Sequence, residues 1–106
     1  YENPLSDNGT NTYNRVQMCA GTCSISLSAA ASGTTSVTFS DVEIASGNIY
    51  AANPIVIATP YLSQNYIVDV SYVDINNATI RVTHRDGTSA TTTVYVMWIA
   101  IGATGI

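Results

Sequence analysis

Lysine is missing from this chain of 106 residues altogether, and its three arginines, Arg15, Arg81 and Arg85, stand apart from one another. Charged residues make up only 9% of the sequence, and the formal net charge is −4. Nucleic-acid binding runs on clustered cations that neutralise phosphates, and docking to anionic lipid needs a similar patch. Neither function is expected here. No apolar run approaches the roughly 20 residues that a membrane-spanning helix requires, so no membrane insertion is expected either. With one histidine, His84, and two cysteines, Cys19 and Cys23, soft ligands are too few for a zinc site. No Ser-His-Asp spacing stands out. Asp41 and Glu43 face the same way on a strand, as paired acids do, but an ordinary solvated face has the same spacing. The sequence therefore predicts no enzyme, no metal and no cofactor. The polar opening Tyr-Glu-Asn-Pro-Leu-Ser-Asp has no signal-peptide pattern. A chain opening on Tyr1 is expected to be a fragment or a processed product, and secretion stays open.

The cysteines leave alternatives. Cys19 and Cys23 enclose Ala-Gly-Thr. A disulfide needs Cα atoms about 4.4–6.8 Å apart, whereas four residues of extended strand span about 13 Å. An intrachain bond therefore requires a tight turn at Gly21. Free thiols or an interchain link are the other possibilities.

What the chain does have is strand chemistry: Val, Ile, Thr and Tyr in period-two alternation, broken by turn residues every 8–12 positions. After a polar arm over residues 1–13, one domain is expected over 14–106. Ser24–Ala29 points Ile25 and Leu27 inward, and Ala30–Gly33 turns the chain. Thr35–Phe39 points Val37 and Phe39 inward. A phase slip at 41–44 suggests a bulge or a strand end. A loop over 45–54 precedes Ile55–Thr59, which Pro60 is expected to end. Tyr66–Val73 and Thr79–His84 flank a turn at 74–77, with Tyr66, Val68, Val70 and Tyr72 on one face. The register that keeps the apolar sets together pairs Val70 with Ile80 and Val68 with Val82, and sets Asp69 opposite Arg81. The fold class is all-β: a small six-stranded antiparallel β-sandwich.

The last strand stands apart. Residues 92–101 carry Val94, Val96, Trp98 and Ala100 on one face and Tyr95, Met97, Ile99 and Ile101 on the other. A small antiparallel domain normally buries one face of a strand and wets the other. An apolar second face asks for a partner, and another copy of the chain fits best. Tyr95, Met97, Ile99 and Ile101 are the predicted oligomer interface. For ligand contacts the most functional cluster is His84-Arg85-Asp86, donors beside an acceptor at a strand end, suited to vicinal hydroxyls. A polar turn built around Asp86-Gly87 explains the same residues. Asp69 and Arg81 read first as a cross-strand ion pair and second as ligand-binding residues.

The stretch from Val37 to Gly102 resembles the H-type lectin domain of discoidins and snail agglutinins. The carriers are SVTF (Ser36–Phe39), NPIVIAT (Asn53–Thr59), NYIVDVSYVDINNATIRV (Asn65–Val82) and the closing VYVMWIAIG (Val94–Gly102); RVQ at Arg15–Gln17 is similar to the family's first strand. The resemblance implies a trimeric six-stranded sandwich that binds GalNAc-like sugars at protomer boundaries without metal. The family's binding arginine falls on Ile67 here, its Trp-His pair is replaced by the His84-Arg85-Asp86-Gly87 loop, and Met18-Cys19 stands where it has Ser-Gly. Similar domains occur at phage tail-fibre tips. The expected function is a carbohydrate- or receptor-binding module, at the C-terminal tip of a phage tail fibre or in a secreted lectin. Its partners would be a cell-surface glycan or host receptor and two further copies of itself, and its place extracellular or on the virion surface. The alternative is a non-catalytic structural virion module, such as a trimerising cap or a decoration protein.

Overall fold

Six strands run in chain order: β1 Val16–Ala30, β2 Ser32–Thr38, β3 Ile55–Tyr61, β4 Tyr66–Val73, β5 Asn77–His84 and β6 Ala90–Ala103. They come from a computed structural model that describes residues 16–40, 49–61 and 65–105. The arm at 1–13, Arg15, the Asp41/Glu43 pair and the phase slip at 41–44 lie outside the described residues. The strands form two three-stranded sheets, β1-β6-β3 and β2-β5-β4, with every pairing antiparallel. The described residues thus form the all-β, six-stranded antiparallel sandwich that the alternation predicts.

The core lies where the inward positions of both sheets meet. The central strand β5 contributes Ala78, Ile80 and Val82, and the central strand β6 contributes Val94, Val96 and Ala100; all six are 0% exposed. Ile25 and Leu27 of β1, with Val37 and Phe39 at the end of β2, close the same cluster, as their spacing predicts. The β4–β5 register pairs Val70 with Ile80, Val68 with Val82 and Asp69 with Arg81, as the apolar pattern requires. The loop before β3 is less peripheral than its composition suggests. Ile49 and Tyr50 are buried in the core. Tyr50 packs edge-on against Phe39 at 5.3 Å, and its hydroxyl donates to the Ala100 carbonyl at 2.9 Å. Burial pushes the Tyr50 hydroxyl far above its ordinary pKa.

Four local expectations are corrected. Pro60 does not end β3, which continues to Tyr61 with Pro60 opposite Val96. Because β3 is an edge strand, proline can sit there without breaking an inner ladder. Gly33 lies inside β2 rather than in a turn, and a Cβ on it would meet the Leu27 side chain at 2.7 Å. No turn forms at Gly21 either. β1 is one extended strand whose Cys19 and Cys23 oppose Ala100 and Val96. Four residues apart on a strand they are too distant for an intrachain bond, and both are free thiols. Gly21 instead opposes Trp98, and a Cβ there would press on the indole at 3.2 Å. It is a pad for a large ring, not a hinge.

The fourth correction is Tyr72. The β4–β5 ladder slips between Val70 and Tyr72, so that Tyr72 opposes Thr79 and Val73 opposes Ala78. One extra residue, Ser71, reverses the alternation. Val73 then packs against the core, and Tyr72, expected inward, stands 56% exposed on the outer face.

Candidate functional site

The His84-Arg85-Asp86 cluster sits at one pole of the β2-β5-β4 sheet, in the turn between β5 and β6. Backbone bonds fix it there: the His84 N–H donates to the Ala31 carbonyl at 2.7 Å and the Arg85 N–H to the Asn65 carbonyl at 2.8 Å. The turn closes with the Gly87 N–H on the His84 carbonyl at 2.9 Å, Gly87 taking a φ of 74°. The imidazole is part of that closure. Its Nδ1 accepts the Asp86 backbone N–H at 3.2 Å and lies 3.2 Å from the Thr88 hydroxyl, and the ring meets Tyr66 edge-on at 5.2 Å. An Nδ1 that accepts leaves the proton on Nε2. His84 is half-buried, whereas Arg85 and Asp86 are exposed and free to meet a ligand. The structure thus joins His84 to its turn and leaves the two charged side chains outward.

Asp69 and Arg81 occupy the outer face of the same sheet. Arg81 donates from Nε to Oδ1 at 3.0 Å and from Nη2 to Oδ2 at 2.5 Å, a two-pronged pair with both side chains nearly half exposed. Asp69 holds the guanidinium's proton more tightly, raising the Arg81 pKa. Ile67, where the lectin resemblance would put an arginine, opposes Thr83 on this face and is 49% exposed.

The outer face of the other sheet is apolar. Of the four side chains expected to form an interface, Tyr95, Met97 and Ile101 are exposed and Ile99 is half-buried. The register adds neighbours that single-strand reasoning missed. Ile55 opposes Ile101, Ile57 opposes Ile99 and Tyr61 opposes Tyr95 on one side, with Met18 opposite Ile101 on the other. Ile55 is 70% exposed and Ile57 62%. The signal lay in the short run Ile55–Ile57, whose outward residues only cross-strand pairing could place. A shallow groove on this sheet is lined by Ala20, Ile57, Thr59, Met97, Trp98 and Ile99.

Other chemistry is sparse. Among the described residues no group of three or more His, Cys, Asp or Glu side chains is placed to hold a metal ion. Cys19 is buried, its thiol directed at the Ser40 carbonyl at 3.4 Å. Burial raises the Cys23 thiol pKa, away from the reactive thiolate. No helix is long and apolar enough to cross a membrane among the described residues.

No protein-family model matches the chain, and no curated protein matches it. A solved structure does: the tailspike protein gp49 from Pseudomonas phage LKA1, with a TM-score of 0.66 and 22% identity over 82% of this chain. The match spans 15% of the tailspike chain. At that identity the likeness shows a shared fold.

Proposed function

We propose that this chain is a non-catalytic glycan- or receptor-binding module of a phage tail, displayed on the virion surface and assembled as a homotrimer on the H-type lectin plan. The observation that carries the reading is the apolar outer face of β1-β6-β3. Among the described residues, eight of the ten large apolar side chains that are well exposed lie on it: Val16, Met18, Ile55, Ile57, Tyr61, Tyr95, Met97 and Ile101. Together they expose on the order of 800 Å², about what one partner contributes to a stable interface and more than a monomer's surface usually leaves to water. A second copy covers such a face at no cost in buried charge, because the face carries none among the described residues. The number three comes from the lectin resemblance, and the tail setting is supported by the tailspike likeness.

Ligand contacts are assigned to the turn carrying Arg85 and Asp86, near a protomer boundary. Sedimentation of the purified chain at micromolar concentration tests assembly, and a stable monomer would sink this reading. A glycan array paired with a cell-surface binding assay tests recognition. Losing charge-assisted hydrogen bonds in the double variant Arg85→Ala, Asp86→Ala should weaken binding about tenfold or more while the oligomer persists. The tie between the His84 ring and its own turn favours a second reading, a trimerising cap or decoration module. An intact oligomer silent in both assays would establish that alternative.

A further inference from the structure

Strand β4 breaks its own alternation to put an aromatic ring on a polar surface. Continued pleating would bury Tyr72 with Val68 and Val70; the extra Ser71 turns it outward beside the Asp69–Arg81 pair. Bulges concentrate where a side chain has to be re-aimed. The exposed phenol stands beside a carboxylate. The nearby Asp74 carboxylate raises the phenol's pKa, and that carboxylate accepts the Asn76 and Asn77 backbone N–H groups at 2.7 and 2.8 Å. The turn that follows the ring is therefore braced by its own carboxylate.

The surroundings name the chemistry. Cross-strand pairing lines up two rows on this face, Thr34–Arg81–Asp69 and Ser36–Thr79–Tyr72. With strands about 4.8 Å apart and rows about 7 Å apart, the patch measures about 10 Å by 7 Å, the footprint of one or two sugar rings. Arg81 uses only Nε and Nη2 on Asp69, so guanidinium donors remain beside carboxylate lone pairs. That is a fixed donor–acceptor pair for adjacent hydroxyls. The pair is neutral overall, and Asp74 adds a negative charge beside the ring, so an anionic ligand gains nothing here.

We infer that the outer face of β2-β5-β4 is a saccharide-stacking site: Tyr72 takes the apolar face of a neutral sugar while Arg81, Asp69 and the hydroxyls of Thr34 and Thr79 take its vicinal hydroxyls. The inference rests on the proposed glycan-binding function but places the contact away from the Arg85–Asp86 turn. If β1-β6-β3 faces its partner copies, the opposite sheet of each protomer faces outward, so each assembly offers the site once per copy.

The test is an array of neutral and sialylated oligosaccharides probed with the parent chain, Tyr72→Ala, Tyr72→Phe and the Arg85→Ala, Asp86→Ala variant, with sedimentation run in parallel. Tyr72 is exposed, so its replacement leaves the core untouched. The expected result is binding to neutral saccharides that Tyr72→Ala weakens at least about tenfold. Tyr72→Phe should retain most of it, and the oligomer should be unchanged. Four results overturn the inference. Parental binding in Tyr72→Ala with loss in the turn variant puts the ligand at the turn and spares the proposed function. A preference for sialylated glycans refutes the neutral-sugar assignment alone. Binding to cells but to no saccharide leaves only the receptor reading standing. Binding to neither removes the site and the recognition function together.

Discussion

The central strands of the two sheets share an inner face and differ in the outer one. Strand β5 alternates Ala78, Ile80 and Val82 with Thr79, Arg81 and Thr83; strand β6 alternates Val94, Val96 and Ala100 with Tyr95, Met97, Ile99 and Ile101. The inward sets are equally buried, at 0% exposure. The fold therefore asks the same of both strands, and nothing in the packing of one protomer requires Met97 where β5 has Thr79. Under the proposed function, the outer faces answer to contacts beyond the single chain. One is made for exclusion from water, the other for contact with it, and this division separates a surface suited to self-association from one suited to a hydroxyl-rich ligand.

Matched charges on the two outer faces should have opposite consequences. Met97→Asp puts an unpaired carboxylate on the apolar face and should abolish assembly at micromolar concentration. Thr79→Asp, at the equivalent place in β5, should leave the oligomer intact. Equal behaviour of the two variants in sedimentation velocity would end the distinction between the faces.

Folding has to be separable from assembly. Ile80 is fully buried on the inner side of β5, so Ile80→Ala should cost about 2–5 kcal/mol in urea denaturation. The oligomeric state of the folded fraction should not change. A smaller effect belongs to the β1-β6-β3 sheet. Tyr50→Phe removes the hydroxyl that donates to the Ala100 carbonyl and should cost about 1 kcal/mol.

The smallest prediction concerns the turn beneath Tyr72. The backbone N–H groups of Asn76 and Asn77 hold the Asp74 pKa below its ordinary value. A carboxylate depressed in the folded state stabilises fully above the unfolded pKa of about 3.9 and loses that contribution as the pH falls through the lowered value. The melting temperature should therefore fall on the acid limb, and Asp74→Asn should make that limb shallower. An identical acid limb in the two proteins would show that Asp74 does not anchor the turn.

Period-two alternation was enough to read the sandwich, the inward residues of β1, β2 and β5 and those of β4 as far as Val70, the Val70–Ile80 and Asp69–Arg81 register and the apolar outer face of β6. Each of these follows from side chains leaving a strand on alternate sides, which neighbouring residues alone decide. The outward turn of Tyr72 could not be read that way, because a bulge is a mismatch between two strands and β4 shows it only when paired with β5. Gly21 was equally opaque. In isolation a glycine between two cysteines suggests a turn, and only its pairing with Trp98 shows that it makes room for a ring. The spread of the apolar face onto β1 and β3 also needed the register. Neighbouring residues alone show which side of a strand is apolar wherever its pleat is unbroken; which sides meet, and where β4 reverses, is set by pairing, because pairing joins residues that the chain keeps far apart.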